Sequence, residues 1–183
     1  MAKKRSKQHP PIIKRSDWFA VLSPQTSLNP KGPEVELKFI HLDKKLTESE
    51  VLKVSLELGF VFPDPLMFHF VNHNGGVPVP SVFHDAFMDT VVSETLPLIS
   101  DSGRGTVVSA YKNLVMAKKI VPARSLPFAV DGGGDFFFCD LNNEDVRVFF
   151  FRSEYYPDTE KCLTDLGMGL EKFFKNLKED TDS

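Results

Sequence analysis

The chain has 183 residues, 42% apolar and 26% charged, with a formal net charge of −3, the profile of one globular domain with a small appendage. No apolar run approaches the ~20 residues a spanning helix needs, and the basic N-terminus lacks an apolar stretch, so neither membrane insertion nor a secretory signal is expected. Cys139 and Cys162 lie far apart and outside any CxxC spacing, which reads as two free thiols in a reducing cytoplasm.

Charge is unevenly placed. Residues 1–15 hold six bases and no acid, whereas from Asp131 onward 13 acids face 6 bases. A basic run of this kind is usually a solvated tail. The acidic C-terminal third argues against nucleic acid as a ligand of the folded body.

Residues 1–34 carry Pro10, Pro11, Pro24, Pro30 and Pro33 without sustained periodicity, and read as a largely irregular arm with Trp18 to Leu22 as an apolar anchor. Residues 35–42 (VELKFIHL) alternate apolar and polar, as a strand does. Thr47 is placed to cap a helix with Glu48 and Glu50 in its first turn, running to Gly59 as a stop. Asp64-Pro65 opens a second helix, as an N-cap followed by proline, which carries Leu66, Phe68, Phe70 and Val71 and ends in Asn-Gly-Gly at 74–76.

Strands are expected at 82–87 and 91–99, followed by a loop at 101–105. A helix capped by Thr106 then runs from Val107 to about Lys118. Residues 126–148 (LPFAVDGGGDFFFCDLNNEDVRV) are three apolar-aromatic runs separated by Gly, Asn and Asp, the mark of an antiparallel β-meander. A last amphipathic helix is expected over 162–177, and residues 179–183 read as a disordered tail. Helices early and late with strands between them argue for an α+β fold: a mostly antiparallel twisted sheet with two N-terminal helices, one mid-chain helix and a C-terminal helix packed against it.

Two of these stretches carry a resemblance. The first, with Leu58, Gly59, Pro63, Phe70, Asn74, Gly75 and Gly76, and the second, LPFAxDxGGD followed by Asp140 and a strand, resemble the SUKH superfamily. That group includes the yeast Smi–Knr cell-wall regulators and many bacterial immunity proteins. The resemblance covers roughly residues 45–178, within a domain read as 35–178. It departs at Ser55, where many members carry Glu, and at Phe62-Pro63, where Leu-Pro is usual.

Catalytic patterns are weak. His69 and His73 are spaced as a helical metal pair, but HFVNH lacks the Glu of HExxH, and His84, Asp85 or Asp89 would have to supply a third ligand. These histidines read instead as polar positions on a half-exposed helix, and no metal or cofactor is expected. The Asp131–Asp135 loop is followed by Phe136-Phe137-Phe138, a strand, whereas a phosphate cradle needs a helix N-terminus. It is also poor in the alternating oxygens of a calcium loop, so its glycines read as turn residues. No GxSxG or reactive-cysteine context occurs, and the chain is expected not to be an enzyme.

The resemblance implies a protein-binding module. Its bacterial members bind a toxin domain, often a nuclease or deaminase, and block it; the alternative is a regulatory scaffold of the yeast kind. An acidic surface suits a basic partner, because complementary potentials accelerate association. The expected partner surface joins Asp131, Asp135, Asp140, Glu144, Asp145 and Glu154, clustered on one loop side of the meander, with Phe137 and Phe150 as apolar anchors. The phenylalanine triplets place rings on both faces of the sheet, and burial of both faces is the simpler reading of the two.

Overall fold

The computed structural model describes residues 36–85, 88–142 and 145–180, all within one compact unit, Val35–Ser183. The arm at 1–34, with Trp18, and Glu144 lie outside the described residues. Strand β1 (Lys38–Ile40) leads to helix α1 (Glu48–Glu57) and helix α2 (Asp64–Asn72). Strands β2 (Val77–Val79), β3 (Val82–His84) and β4 (Asp89–Thr95) follow. Helix α3 (Val107–Ala110) continues into a π-helical stretch, Tyr111–Ala117. The second half holds β5 (Ser125–Asp131), β6 (Phe136–Asp140), β7 (Arg147–Phe151), helix α4 (Thr159–Cys162), β8 (Leu163–Gly169) and helix α5 (Leu170–Lys175). The sheet is six-stranded and antiparallel in the order β3-β4-β5-β6-β7-β8, beside a two-stranded β1-β2 pair. The fold is α+β, and the β5–β6–β7 meander is the one read from the glycine, asparagine and aspartate punctuation.

Local chemistry explains most boundaries. Thr47 and Glu50 form a capping box: the Glu50 N–H donates to Thr47 Oγ1 at 3.3 Å and the Thr47 N–H to Glu50 Oε2 at 2.8 Å, which satisfies two otherwise orphaned donors. Thr106 and Ser109 repeat the device on α3. In α2, Asp64 is the first helical residue and Pro63 stands at the cap with no side-chain bond. The Asp-Pro signal located the helix but misplaced its cap by one position.

The expected C-terminal helix is present but shorter than its apolar spacing suggests. Residues 163–169 form a strand, and only Leu170–Lys175 are helical. The apolar spacing Leu163, Leu166, Leu170 suits a helix, but Gly167 and Gly169 each cost a helix ~1 kcal/mol, and Gly167 sits at φ +67°. Pairing with β7 (Phe149↔Asp165, Phe150↔Thr164, Phe151↔Leu163) decides the outcome.

Both faces of the sheet are buried at β6. Phe137 and Phe138 point to opposite faces, and neither has any exposed surface. On one face Phe173 of α5 packs against Phe83, Phe128 and Phe137, with ring centroids 5.0–5.6 Å apart; on the other, Phe138 meets Phe136 and Phe151. An abundance of 17 phenylalanines is thus spent largely on a two-sided core, where each fully buried ring contributes roughly 1.5–3 kcal/mol.

Candidate functional site

Strand register divides the expected acidic cluster. Val130 pairs Phe136 and Phe136 pairs Phe151, so the turns after β5 and after β7 share one end of the meander. Ser125 pairs Asp140 and Arg147 pairs Gly169, so Asp140 and Asp145 belong to the opposite end. Four to five residues at ~3.3 Å each put the two ends roughly 15 Å apart. Asp131, Asp135 and Glu154 are therefore neighbours, while Asp140 and Asp145 stand away from them. The expectation of one acidic cluster is corrected by the antiparallel alternation itself, which sends successive turns to opposite ends.

The two expected anchors also move. Phe137 is fully buried and Phe150 nearly so; their rings pack at 4.7 Å on the face covered by α5. Both are core residues, because a central strand with helices above it leaves its inward side no route to solvent.

The end that carries Asp131 is tightly organised. Asp131 Oδ1 accepts the N–H groups of Gly133 and Asp135, both at 2.8 Å, and Oδ2 accepts the Thr90 hydroxyl at 2.9 Å. This carboxylate shapes the hairpin and ties it to β4. Asp135 Oδ1 accepts the Ser153 N–H at 3.0 Å, which joins the hairpin to the 3-10 turn Ser153–Tyr155. Tyr155, which ends this turn, and Tyr156, which follows it, are 40% and 55% exposed. Glu154, Asp158 and Glu160 flank them in the open, and among the described residues only Asp158 of these three has a cationic partner, Lys161 at 3.0 Å. The result is a rim: an acidic border around two exposed tyrosines, held by backbone hydrogen bonds. The sequence signal for the rim is Tyr155-Tyr156-Pro157 between Glu154 and Asp158, a pair that a turn leaves in solvent.

At the other end, Asp140 Oδ1 accepts the N–H of Asn142 at 2.9 Å and its side-chain amide at 2.7 Å, a local turn bond. Arg147 pairs Asp165 at 2.8 Å.

Of the two helix histidines, His73 keeps its expected half-exposed position and His69 does not. His69 is 4% exposed, stacked on Phe174 at 5.0 Å and edge-on to Phe39. Burial pulls its pKa down to about 3, and desolvation lowers that of His73 as well. His84 instead pairs Asp89 on the β3–β4 hairpin. Among the described residues no group of three or more His, Cys, Asp or Glu is placed to hold a metal ion. Burial raises the thiol pKa of Cys139 well above its usual value and that of Cys162 in the same direction, so neither is a ready nucleophile.

Residues 45–176 match the family described as SMI1 / KNR4 family (SUKH-1). The chain belongs to this family. No curated protein and no solved structure matches it. The SUKH motif residues are structural in this chain. Asn74, 3% exposed, donates to the Lys44 and Ile99 carbonyls, each at 2.8 Å, and accepts the Leu98 N–H at 2.7 Å, clamping three segments. Gly76 has φ +99°, and a Cβ there would lie 2.6 Å from the Ile40 carbonyl, so glycine is required. Leu126, Phe128 and Ala129 are fully buried. Ser55, where many SUKH members carry Glu, is buried and donates to the Leu52 carbonyl at 2.8 Å. The family's shared residues build the scaffold, and the rim tyrosines fall outside those motifs.

Proposed function

We propose that this SUKH-1 chain is a non-catalytic protein-binding module, and that its working surface is the rim formed by the Asp131–Asp135 hairpin and the Ser153–Asp158 turn. The observation that carries the reading is the pairing of exposed Tyr155 and Tyr156 with Asp135, Glu154, Asp158 and Glu160. Tyrosines are over-represented at interface hot spots, and a charged border governs encounter. An acidic border suits a partner with a basic cleft, such as a nucleic-acid-processing toxin domain, and the module acts as the immunity protein that blocks it. Regulation by protein contact, as in the yeast members, would use the same surface.

The test is affinity capture from the native host, identification of the bound protein, and binding kinetics with purified variants. Glu154→Lys with Asp158→Lys should slow association, with the penalty shrinking as salt rises. Asp140→Lys, at the opposite end, should have little effect. Equal association rates for both variants at low salt would sink the proposal. Inhibition of the partner's nuclease or deaminase activity would favour immunity over regulation.

A further inference from the structure

The six-stranded sheet has two outer strands, and they are finished differently. The outer edge of β3 is occupied: Val82 and Lys178 exchange backbone hydrogen bonds at 3.0 and 2.8 Å. Strand β8 has no neighbour beyond it among the described residues. The Arg152 N–H donates to the Cys162 carbonyl at 2.8 Å, so residues 162 and 164 turn their main-chain groups toward β7. Antiparallel alternation then directs the N–H and C=O of Leu163 and Asp165 away from the sheet. The row ends at Gly167, whose N–H is taken by Asp165 Oδ1 at 2.8 Å and whose φ of +67° bends the strand away. The usable edge is therefore confined to the first half of β8, the half next to the rim.

A shallow depression of about 300 Å³ lies beside the start of this edge, lined by Lys119, Ile120, Val121, Pro122, Glu160 and Leu163. An open row of main-chain donors and acceptors next to an apolar pocket is how an added strand is recognised, with affinity from the backbone and specificity from the pocket. Charge narrows the occupant. Arg147 offsets Asp165 and Lys161 offsets Asp158, whereas Glu154, Glu160 and Asp135 have no cationic partner among the described residues.

We infer that an extended, basic segment of the partner adds to the outer edge of β8 at Leu163–Asp165 and sets an apolar side chain into the depression. This deepens the partner-binding reading of the rim and rests on it for the partner's basic character.

The test uses the full chain with a short peptide of alternating lysine and valine, its glutamate–valine counterpart as control, and residue-resolved amide exchange. The lysine peptide should slow exchange at Leu163 and Asp165 and bind roughly tenfold more tightly than the glutamate peptide. Asp165→Pro removes the outward N–H at an edge position where proline is tolerated, and should abolish this binding. Asp165→Ala keeps the N–H and should retain it. Unchanged exchange in the wild-type chain, equal affinity for both peptides, or equal loss in the proline and alanine variants would overturn the inference. So would a dimer lost in Asp165→Pro, which assigns the edge to a second copy. Protection at β8 that survives Tyr155→Ala and Tyr156→Ala upholds the edge even if the rim fails. Failure of the peptide while rim variants still weaken the captured partner removes the edge and leaves the rim.

Discussion

The Asn74 corner with its phenylalanine seam and the tyrosine rim use aromatic and polar residues in opposite ways. In the corner and seam the deciding groups are enclosed: Asn74 spends its amide on three backbone groups, and Phe173 packs on Phe83, Phe128 and Phe137. At the rim the backbone is equally well bonded through Asp131 and Asp135, but the aromatic side chains are left in water. The contrast separates residues that hold the fold from residues free to meet a partner, because a ring already packed on its neighbours has no surface left to offer.

Substitutions should break this contrast in a graded way. Phe173→Ala should cost the most, about 3–5 kcal/mol, because it opens a cavity between α5 and the sheet that neighbouring rings cannot fill; denaturant melts measure it. Asn74→Ala should cost about 2–3 kcal/mol by leaving the Lys44 and Ile99 carbonyls and the Leu98 N–H unpaired in a buried corner. A loss below ~0.5 kcal/mol would show that water replaces the amide.

Acid should act through the seam. His69 has its pKa held at about 3, against an ordinary value of 6.5. Between those values the unfolded chain takes up a proton that the folded chain refuses, so stability is fully present above pH 6.5 and falls as pH drops toward 3. The loss from this one group is about 2 kcal/mol by pH 5. His69→Phe should flatten the pH dependence of the melting temperature across that window, with His73 adding a smaller effect of the same sign. Asp43, held at about 2 by the Ser100 and Ser102 hydroxyls and the backbone N–H groups of Lys44 and Asp101, contributes above its ordinary 3.8 and is lost only as pH falls from there toward 2.

Tyr155→Ala and Tyr156→Ala should be the mildest, each within about 0.5 kcal/mol of wild-type stability, as exposed positions are. Their effect should appear as a faster dissociation rate from the captured partner. A large loss of stability with unchanged binding would make the tyrosines part of the scaffold and erase the distinction.

Much of the scaffold was legible because its signals are local. Thr47 and Glu50 announce a capping box by spacing, Asn74-Gly75-Gly76 a turn by backbone freedom, and the meander declares itself by three apolar runs between turn residues. The α+β class followed from element order alone. Other features were not local. Leu163, Leu166 and Leu170 fit a helix period, and only the vacant edge of β7 turned the segment into a strand. Phe137 and Phe150 looked equally able to face a partner or a core until α5 covered them. The acids between Asp131 and Glu154 are close in sequence, yet alternation of the strands sends Asp140 and Asp145 to the far end. Sequence by itself determined which segments turn and cap and where the meander lies, since those depend on a few adjacent residues. Tertiary packing decided which side chains are left to solvent, since exposure depends on what the rest of the chain places over them.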